Sequence, residues 1–379
     1  MQTSTASADR AGDAALLEAT LAHLRAIVAF DTRNPPRAIA ADGGIIAYLR
    51  EALPGFRVDV RDHGAGAVSV HAVRGAPTQV FNFHLDTVPV AQGWTRDPHT
   101  LVEAGDRVHG LGACDTKGAA AAMLAAAART RGDLALLFTS DEEANDARCI
   151  RAFLASGHPY RAAIVAEPTC GVAVLAHRGI VSAHARFSGT AGHASEARAL
   201  RDSAVHRAVA WAGEALAHAR ALDSHAFGEL SGFRFNLGRI EGGIKGNVIA
   251  PSCDVRFGFR PLPSQSVDEL LALFRGIAPP GELDGFEELF RGPPLPAARG
   301  EAAARQLESS RALATRLGLP IGAAVNFWTE ASLFSEAGLD AIVFGPGDIA
   351  QAHAADEWVA LDELRRAAVH YLRIIDEPR

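Results

Sequence analysis

The chain has 379 residues, of which 48% are hydrophobic and 21% charged, and its formal net charge is −7. This length and balance indicate a globular protein of two or three domains with a large core. The negative balance argues against a nucleic-acid-binding surface, which needs an excess of Lys and Arg; it leaves room for an anionic small molecule held by one or two arginines.

The four cysteines (Cys114, Cys149, Cys170 and Cys253) are scattered and form no CxxC pair. A disulfide framework or thiolate zinc site is therefore not expected, and reduced thiols in a cytoplasmic protein fit better. The segment MQTSTASADRAGDAA is polar and carries no apolar signal region. The alanine-rich run from Gly118 to Ala128 is too short to span a bilayer, so no membrane association is expected.

In chain order, Ala14 to Phe30 has helical periodicity, with Leu16, Leu17, Leu21, Leu24 and Val28 on one stripe, and the turn sequence Asn34 to Arg37 follows it. Ile45 to Leu53 reads as a helix, and Arg57–Val60 and Val68–Val73 as short strands. Val80 to Pro89, VFNFHLDTVP, alternates Phe81, Phe83 and Leu85 with Asn82, His84 and Asp86. Alternation places His84 and Asp86 on one strand face and the apolar set in the core. A neutral imidazole is a good metal ligand, and a nearby carboxylate fixes its tautomer.

HGLGACDTKG, His109 to Gly118, sets Asp115 between a glycine-rich turn and a helix from about Lys117 to Arg131, with Gly132 as its expected C-cap. Leu134–Thr139 is a continuous apolar run, as in a buried parallel strand, and ends in Asp141-Glu142-Glu143. Ala162–Ala166 is a second such run and ends in Glu167. Ala341–Phe344 is a third, leading through GPG to His353, with Asp356 and Glu357 beyond. A single carboxylate after a strand is most often a turn or cap residue. Repetition weakens that explanation, because ligands in open α/β sheets bind just past the carboxyl ends of the strands.

Between about Arg178 and Pro293 the pattern changes to βαββαβ: Ile180–Phe187, the helix Asp202–Leu222, Phe233–Ile240, Asp254–Arg260, the helix Val267–Ile277, and Phe286–Phe290. This order fits a ferredoxin-like α/β sandwich inserted into the first sheet, which resumes with the helix Ala303–Leu317.

His84, Asp115, Glu142, Glu143, Glu167 and His353 supply nitrogen and oxygen donors suited to zinc, cobalt or manganese. Adjacent side chains in the acidic triplet point differently, so one glutamate can bind metal while the other is free to take a proton from water.

The motifs HLDTVP, GACDTKG, DEE, AEPT and GPGDIAQAH, in that order over nearly the whole chain, resemble those of the dinuclear-metal aminoacylase and carboxypeptidase family, in its acetylornithine deacetylase-like branch. The resemblance implies an α/β fold: a zinc-peptidase-like catalytic domain with a central mixed sheet flanked by helices (residues 1–177 and 294–379), plus a ferredoxin-like lid and dimerisation domain (178–293). It implies Zn2+ or Co2+, one or two ions per chain. His84, Asp115 and Glu167 would hold one ion and Asp115, Glu143 and His353 the other. Glu142 would be the general base and Asp86 would orient His84. His193 would stabilise the oxyanion, and Asn247 and Arg260 would hold the substrate carboxylate, a role that suits the planar Arg fork.

The implied activity is deacetylation of an N-acetyl amino acid in arginine biosynthesis, N-acetyl-L-citrulline first and N-acetyl-L-ornithine as the alternative, by a homodimer. Dipeptidase or carboxypeptidase activity, or metal binding without activity, are the rival readings. A cationic ornithine side chain needs an acidic partner and a neutral citrulline one does not; Asn326 and Glu330 lie near the relevant motif.

Overall fold

The computed structural model describes residues 2–37 and 39–376. The chain divides into two compact units. One comprises the described residues up to Leu175, Gln306–Gly322, and those from Thr329 onward; the other comprises Ala176–Arg305 and Ala323–Trp328. The longer strands are β1 (Arg57–Asp62), β2 (Val68–Arg74), β3 (Gln79–His84), β4 (Leu134–Thr139), β5 (Ala162–Val165), β6 (Ile180–Ser188), β7 (Arg234–Gly242), β8 (Ser252–Arg260), β9 (Leu283–Gly292) and β10 (Asp340–Val343). The longer helices are α1 (Gln2–Val28), α2 (Gly44–Ala52), α3 (Lys117–Arg129), α4 (Arg148–Ala155), α5 (Ala204–Ala221), α6 (Val267–Gly276), α7 (Gly300–Arg316), α8 (Ala331–Glu336) and α9 (Leu361–Asp376). None is long and apolar enough to cross a membrane.

The first unit is built on a 6-stranded mixed sheet in the order β1-β2-β4-β3-β5-β10. β4, β3, β5 and β10 run parallel, while β2 is antiparallel to β4 and β1 to β2. Helices flank both faces. α1, α3 and α9 pack together over one face, where Val70 and Ala72 of β2 join their core. His71 points the other way and meets the Phe153 ring of α4 at 5.2 Å. Residues Ala119 to Ala127 of α3 are all buried, which explains the alanines: a helix covered on every side needs small residues to admit close neighbours.

Two expectations are corrected. β3 is a central strand with every residue buried, and it ends at His84, so Asp86 lies beyond the strand instead of sharing its face with His84. Gly132 is not a C-cap. α3 ends at Arg129, and Thr130 follows in extended backbone at φ −130° and ψ 165°. The glycine is needed for close approach: a Cβ there would sit 2.3 Å from the carbonyl oxygen of Ile375 in α9.

In the second unit an antiparallel 4-stranded sheet has the order β7-β8-β6-β9. With α5 and α6 inserted in the βαββαβ order, this is the ferredoxin-like arrangement. Trp211 of α5 donates its indole N–H to the carbonyl of Phe274 in α6 at 2.8 Å, tying the helices above an aromatic core. Residues 294–305 and 323–328 also pack in this unit, whereas the sequence boundaries assign them to the first. Long-range bridges hold them there, since His177 pairs with both Leu295 and Val325.

Gly132→Ala is expected to destabilise the protein by about 1–3 kcal/mol through overpacking against α9. Gly213→Ala, at an exposed position in α5 where a Cβ meets nothing within 4 Å, is expected to stabilise it by about 0.5–1 kcal/mol. Denaturant unfolding of the two variants should therefore shift in opposite directions; a shift in the same direction would contradict this packing.

Candidate metal centre

The donors converge where the parallel strands end. His84 closes β3, Glu142 and Glu143 follow β4, Glu167 follows β5, and His353 lies in the segment after β10. Asp115 enters from the turn that opens α3. Asp115 stands in the middle: His84 Nε2 lies 2.9 Å from its Oδ1, and His353 Nε2 lies 3.4 Å from its Oδ2. His353 Nε2 is also 3.1 Å from Glu143 Oε1, and His84 Nε2 is 4.0 Å from Glu167 Oε1. Two ligands of one zinc-like ion, each at about 2.0–2.2 Å, stand roughly 3–3.5 Å apart, so the spacing suits coordination. The sets His84–Asp115–Glu167 and Asp115–Glu143–His353 each bring their ligand atoms within 4.8 Å of one another, and His84–Glu142–Glu143 does the same.

Asp86, fully buried, works through two atoms. Its carbonyl oxygen is 2.9 Å from His84 Nδ1, whereas its carboxylate Oδ1 is 3.7 Å away. The expected link to the imidazole therefore runs mainly through the backbone. The other carboxylate oxygen accepts the Glu143 backbone N–H at 3.0 Å, so Asp86 touches both halves of the cluster.

Burial, and then the neighbouring Glu143 carboxylate, push Glu142 well above the usual carboxyl range; burial and then Asp115 do the same to Glu167. Burial also raises Glu143. Hydrogen bonds to Asp115 and then Glu143 raise His353 to about 10. For His84 burial opposes protonation, but Asp115 and Asp86 overcome it and hold the imidazole well above its ordinary value. Burial also opposes ionisation of Asp115, yet its hydrogen bonds with His353 and His84 keep it below the carboxylate range. Asp115 apart, these shifts favour protons on the cluster, because burial and mutual repulsion disfavour four ionised carboxylates side by side. A divalent cation bound by imidazole nitrogen and carboxylate oxygen would displace those protons. The donor set fits such an ion.

The remaining predicted residues belong to the second unit. His193 is exposed, and its Nδ1 is 2.8 Å from Ser195 Oγ. Asn247 is also exposed, and its carbonyl accepts the Ala194 N–H at 3.1 Å, so the His193 and Asn247 segments lie side by side. Arg260 ends β8 and lines a cavity of about 480 Å³ with Arg234, Asn236 and Arg256; neither His193 nor Asn247 lines it.

One residue escaped a functional reading of the sequence, and a second was read only for substrate recognition. Lys117 appeared only as the start of a helix. It is fully buried, its Nζ donates to the Phe30 carbonyl at 3.1 Å, and burial lowers it to about 8. Glu330, considered only for side-chain recognition, is 1% exposed and accepts from Thr139 Oγ1 at 3.1 Å. The Asn82 amide, turned so that its nitrogen faces Glu330, donates to the same oxygen at 3.1 Å. Burial, then the charge of Asp141, raise Glu330 to about 8.

The sequence pattern of Peptidase family M20/M25/M40 matches residues 80–377. N-acetyl-L-citrulline deacetylase of Xanthomonas campestris is 59% identical over 361 residues, 95% of this chain and 98% of that protein. Acetylornithine deacetylase of Myxococcus xanthus is 31% identical over 390 residues, covering 95% of this chain and 97% of its own. Among solved structures, an M20-family metallo-carboxypeptidase from Sulfolobus solfataricus matches with a TM-score of 0.69 at 17% identity, covering 94% of this chain and 98% of that one; at that identity the likeness concerns the fold.

Glu167→Gln tests the charge argument. A carboxyl whose folded pKa exceeds its unfolded value costs stability above the unfolded pKa. Removing it is expected to make the metal-free protein more stable at pH 7 by about 1–2 kcal/mol. The same variant should lose most of the Tm increase that zinc or cobalt gives the wild type. Thermal unfolding with and without chelator checks both effects; a metal-free variant less stable than wild type, yet fully stabilised by metal, would contradict them.

Proposed function

This chain belongs to peptidase family M20/M25/M40, and within it we propose that it is a metal-dependent amidohydrolase that deacetylates N-acetyl-L-citrulline, releasing citrulline and acetate as a step of arginine biosynthesis. The observation that carries this reading is the 59% identity, over 95% of the chain, to a protein of that activity.

In this reading His84, Asp115 and Glu167 would hold one Zn2+ or Co2+ ion and Asp115, Glu143 and His353 a second, with Asp115 serving both sets. When bound, the ions supply a polarising charge and a water acidic enough to react near neutral pH. The chain's own residues handle the protons. Glu142 takes one from the attacking water and passes it to the departing amine nitrogen. Its burial beside Glu143 supports this assignment, because a carboxylate of raised pKa is a stronger base. Asp86 holds His84 and the Glu143 backbone while the proton moves. His193 is assigned to the oxyanion of the tetrahedral intermediate, where a fixed donor is worth most. Asn247 and Arg260 are assigned to the substrate carboxylate. The reading includes a cytoplasmic homodimer formed through the second unit.

The neutral side chain of citrulline is favoured by the state of the two candidate recognition residues. Glu330 is buried, bonded through Oε2 and raised to about 8, so it offers no ready anion to an ornithine ammonium. The Asn326 amide oxygen accepts from Arg178 Nε at 2.7 Å.

The test is amine release by zinc- or cobalt-loaded protein from N-acetyl-L-citrulline and N-acetyl-L-ornithine in parallel, with and without chelator. Citrulline release is expected to dominate and to vanish on chelation. Glu142→Gln should lower kcat by about 10²–10⁴-fold while metal content stays at the wild-type level. Preference for the ornithine substrate would overturn the substrate assignment, and an active Glu142→Gln enzyme would overturn the base.

A further inference from the structure

The loop that carries Asp115 is gripped from behind by a side chain with no part in the chemistry above. Glu357 is 2% exposed. Its Oε2 accepts the Gly112 N–H at 2.9 Å, and its Oε1 accepts the N–H groups of Cys114 at 2.8 Å and Asp115 at 3.0 Å. Three amides of this turn thus point at one buried carboxylate, and one of them belongs to the central residue of the cluster. Amides held this way form a concave anion site, filled here by the protein itself.

Glu357 also stands on the segment that bears His353. Its carbonyl accepts the Gly110 N–H at 3.1 Å. The preceding Asp356 carbonyl is 2.9 Å from His109 Nδ1, and the Asp356 carboxylate accepts from Thr95 N at 2.9 Å and Thr95 Oγ1 at 2.6 Å. Within this segment His353 and Asp356 have φ of 61° and 55°. Left-handed backbone at residues with a Cβ persists only where the surroundings over-determine it. The hydrogen bonds of Asp356 and Glu357 hold the backbone at Asp356.

We infer that Glu357 is a positioning residue of the metal centre: its carboxylate locks the Asp115 loop to the His353 segment and so sets the span between these two ligands. A buried carboxylate serving three amides is also a plain structural staple. The difference lies in what it joins. Both ends of the connection lead, within a few residues, to ligands assigned to the same ion rather than to packing alone, so a slack connection moves Asp115 and His353 apart. The inference rests on the reading of this cluster as a metal site, and it does not depend on which substrate is cleaved.

Glu357→Gln keeps the shape but leaves one acceptor oxygen for three amides, with its new NH2 facing an N–H. We compare wild type, Glu357→Gln and Gly132→Ala for cobalt affinity, by competition with a chromogenic chelator, and for the visible absorption spectrum of the cobalt-loaded protein. Glu357→Gln is expected to lose about 10–100-fold in affinity, the usual cost of losing a group that orients a ligand, and to change the spectrum. Gly132→Ala, destabilised far from the site, should keep both at wild-type values. Wild-type affinity and spectrum in Glu357→Gln, whatever its stability, would reduce Glu357 to a staple and overturn the inference. Should that variant not fold, Glu357→Asp, whose arm is shorter by one methylene, is judged by the same criteria. A wild-type chain that takes up no cobalt removes the metal reading and this inference together. A chain that binds cobalt but cleaves neither acetyl amino acid removes only the substrate reading.

Discussion

Four carboxylates and two imidazoles share a few ångströms at the ends of parallel strands, and their burial makes that crowd unfavourable unless positive charge joins it. Removing carboxylates from water disfavours their charged form, and like neighbours disfavour it further. Asp115 is the exception that organises the rest: an imidazole on each of its oxygens keeps it ionised. Burial and like charge push Glu142, Glu143 and Glu167 toward their protonated forms, and a bound cation would oppose that. Metal affinity, proton balance and stability are therefore linked in one cluster.

The fold exists around that cluster with little freedom. β3, β4, β5 and β10 run in one direction, so each delivers its following residues to the same edge. The alanines of α3 let α1 and α9 close over the sheet, and α3 begins immediately after Asp115. Connections across the edge then fix the loops. Leu85 N–H donates to the Thr139 carbonyl at 2.7 Å, Thr116 Oγ1 donates to the His84 carbonyl at 3.0 Å, and Asp86 accepts from Glu143. Each joins two segments that carry donors, so the geometry of the centre is set by backbone contacts as much as by the donor side chains.

Much of this was legible in the sequence because the signal is local. Apolar runs ending in Asp, Glu or His mark buried strands with polar ends, and the βαββαβ order of the second unit follows from periodicity alone. The failures arise where the cause is non-local. The alternation in VFNFHLD looks like a half-buried strand, but β3 has strands on both sides and helices over the sheet faces, so Asn82 is buried with its neighbours. Gly132 looks like a cap, yet its constraint is the Ile375 carbonyl far along the chain. Residues 294–305 and 323–328 join the second unit through bridges to His177 that no pattern in their own sequence announces. Glu357 reads as one more acid after a strand until the three amides that it accepts are seen together.

The most direct test of the central claim is anomalous diffraction from crystals of the cobalt-loaded protein, collected on both sides of the cobalt absorption edge. The account predicts anomalous density beside Asp115, one peak contacting His84 and Glu167 and, when both positions fill, another contacting Glu143 and His353. Cobalt-loaded crystals with no peak within coordinating distance of Asp115, or with peaks only elsewhere on the chain, would contradict it.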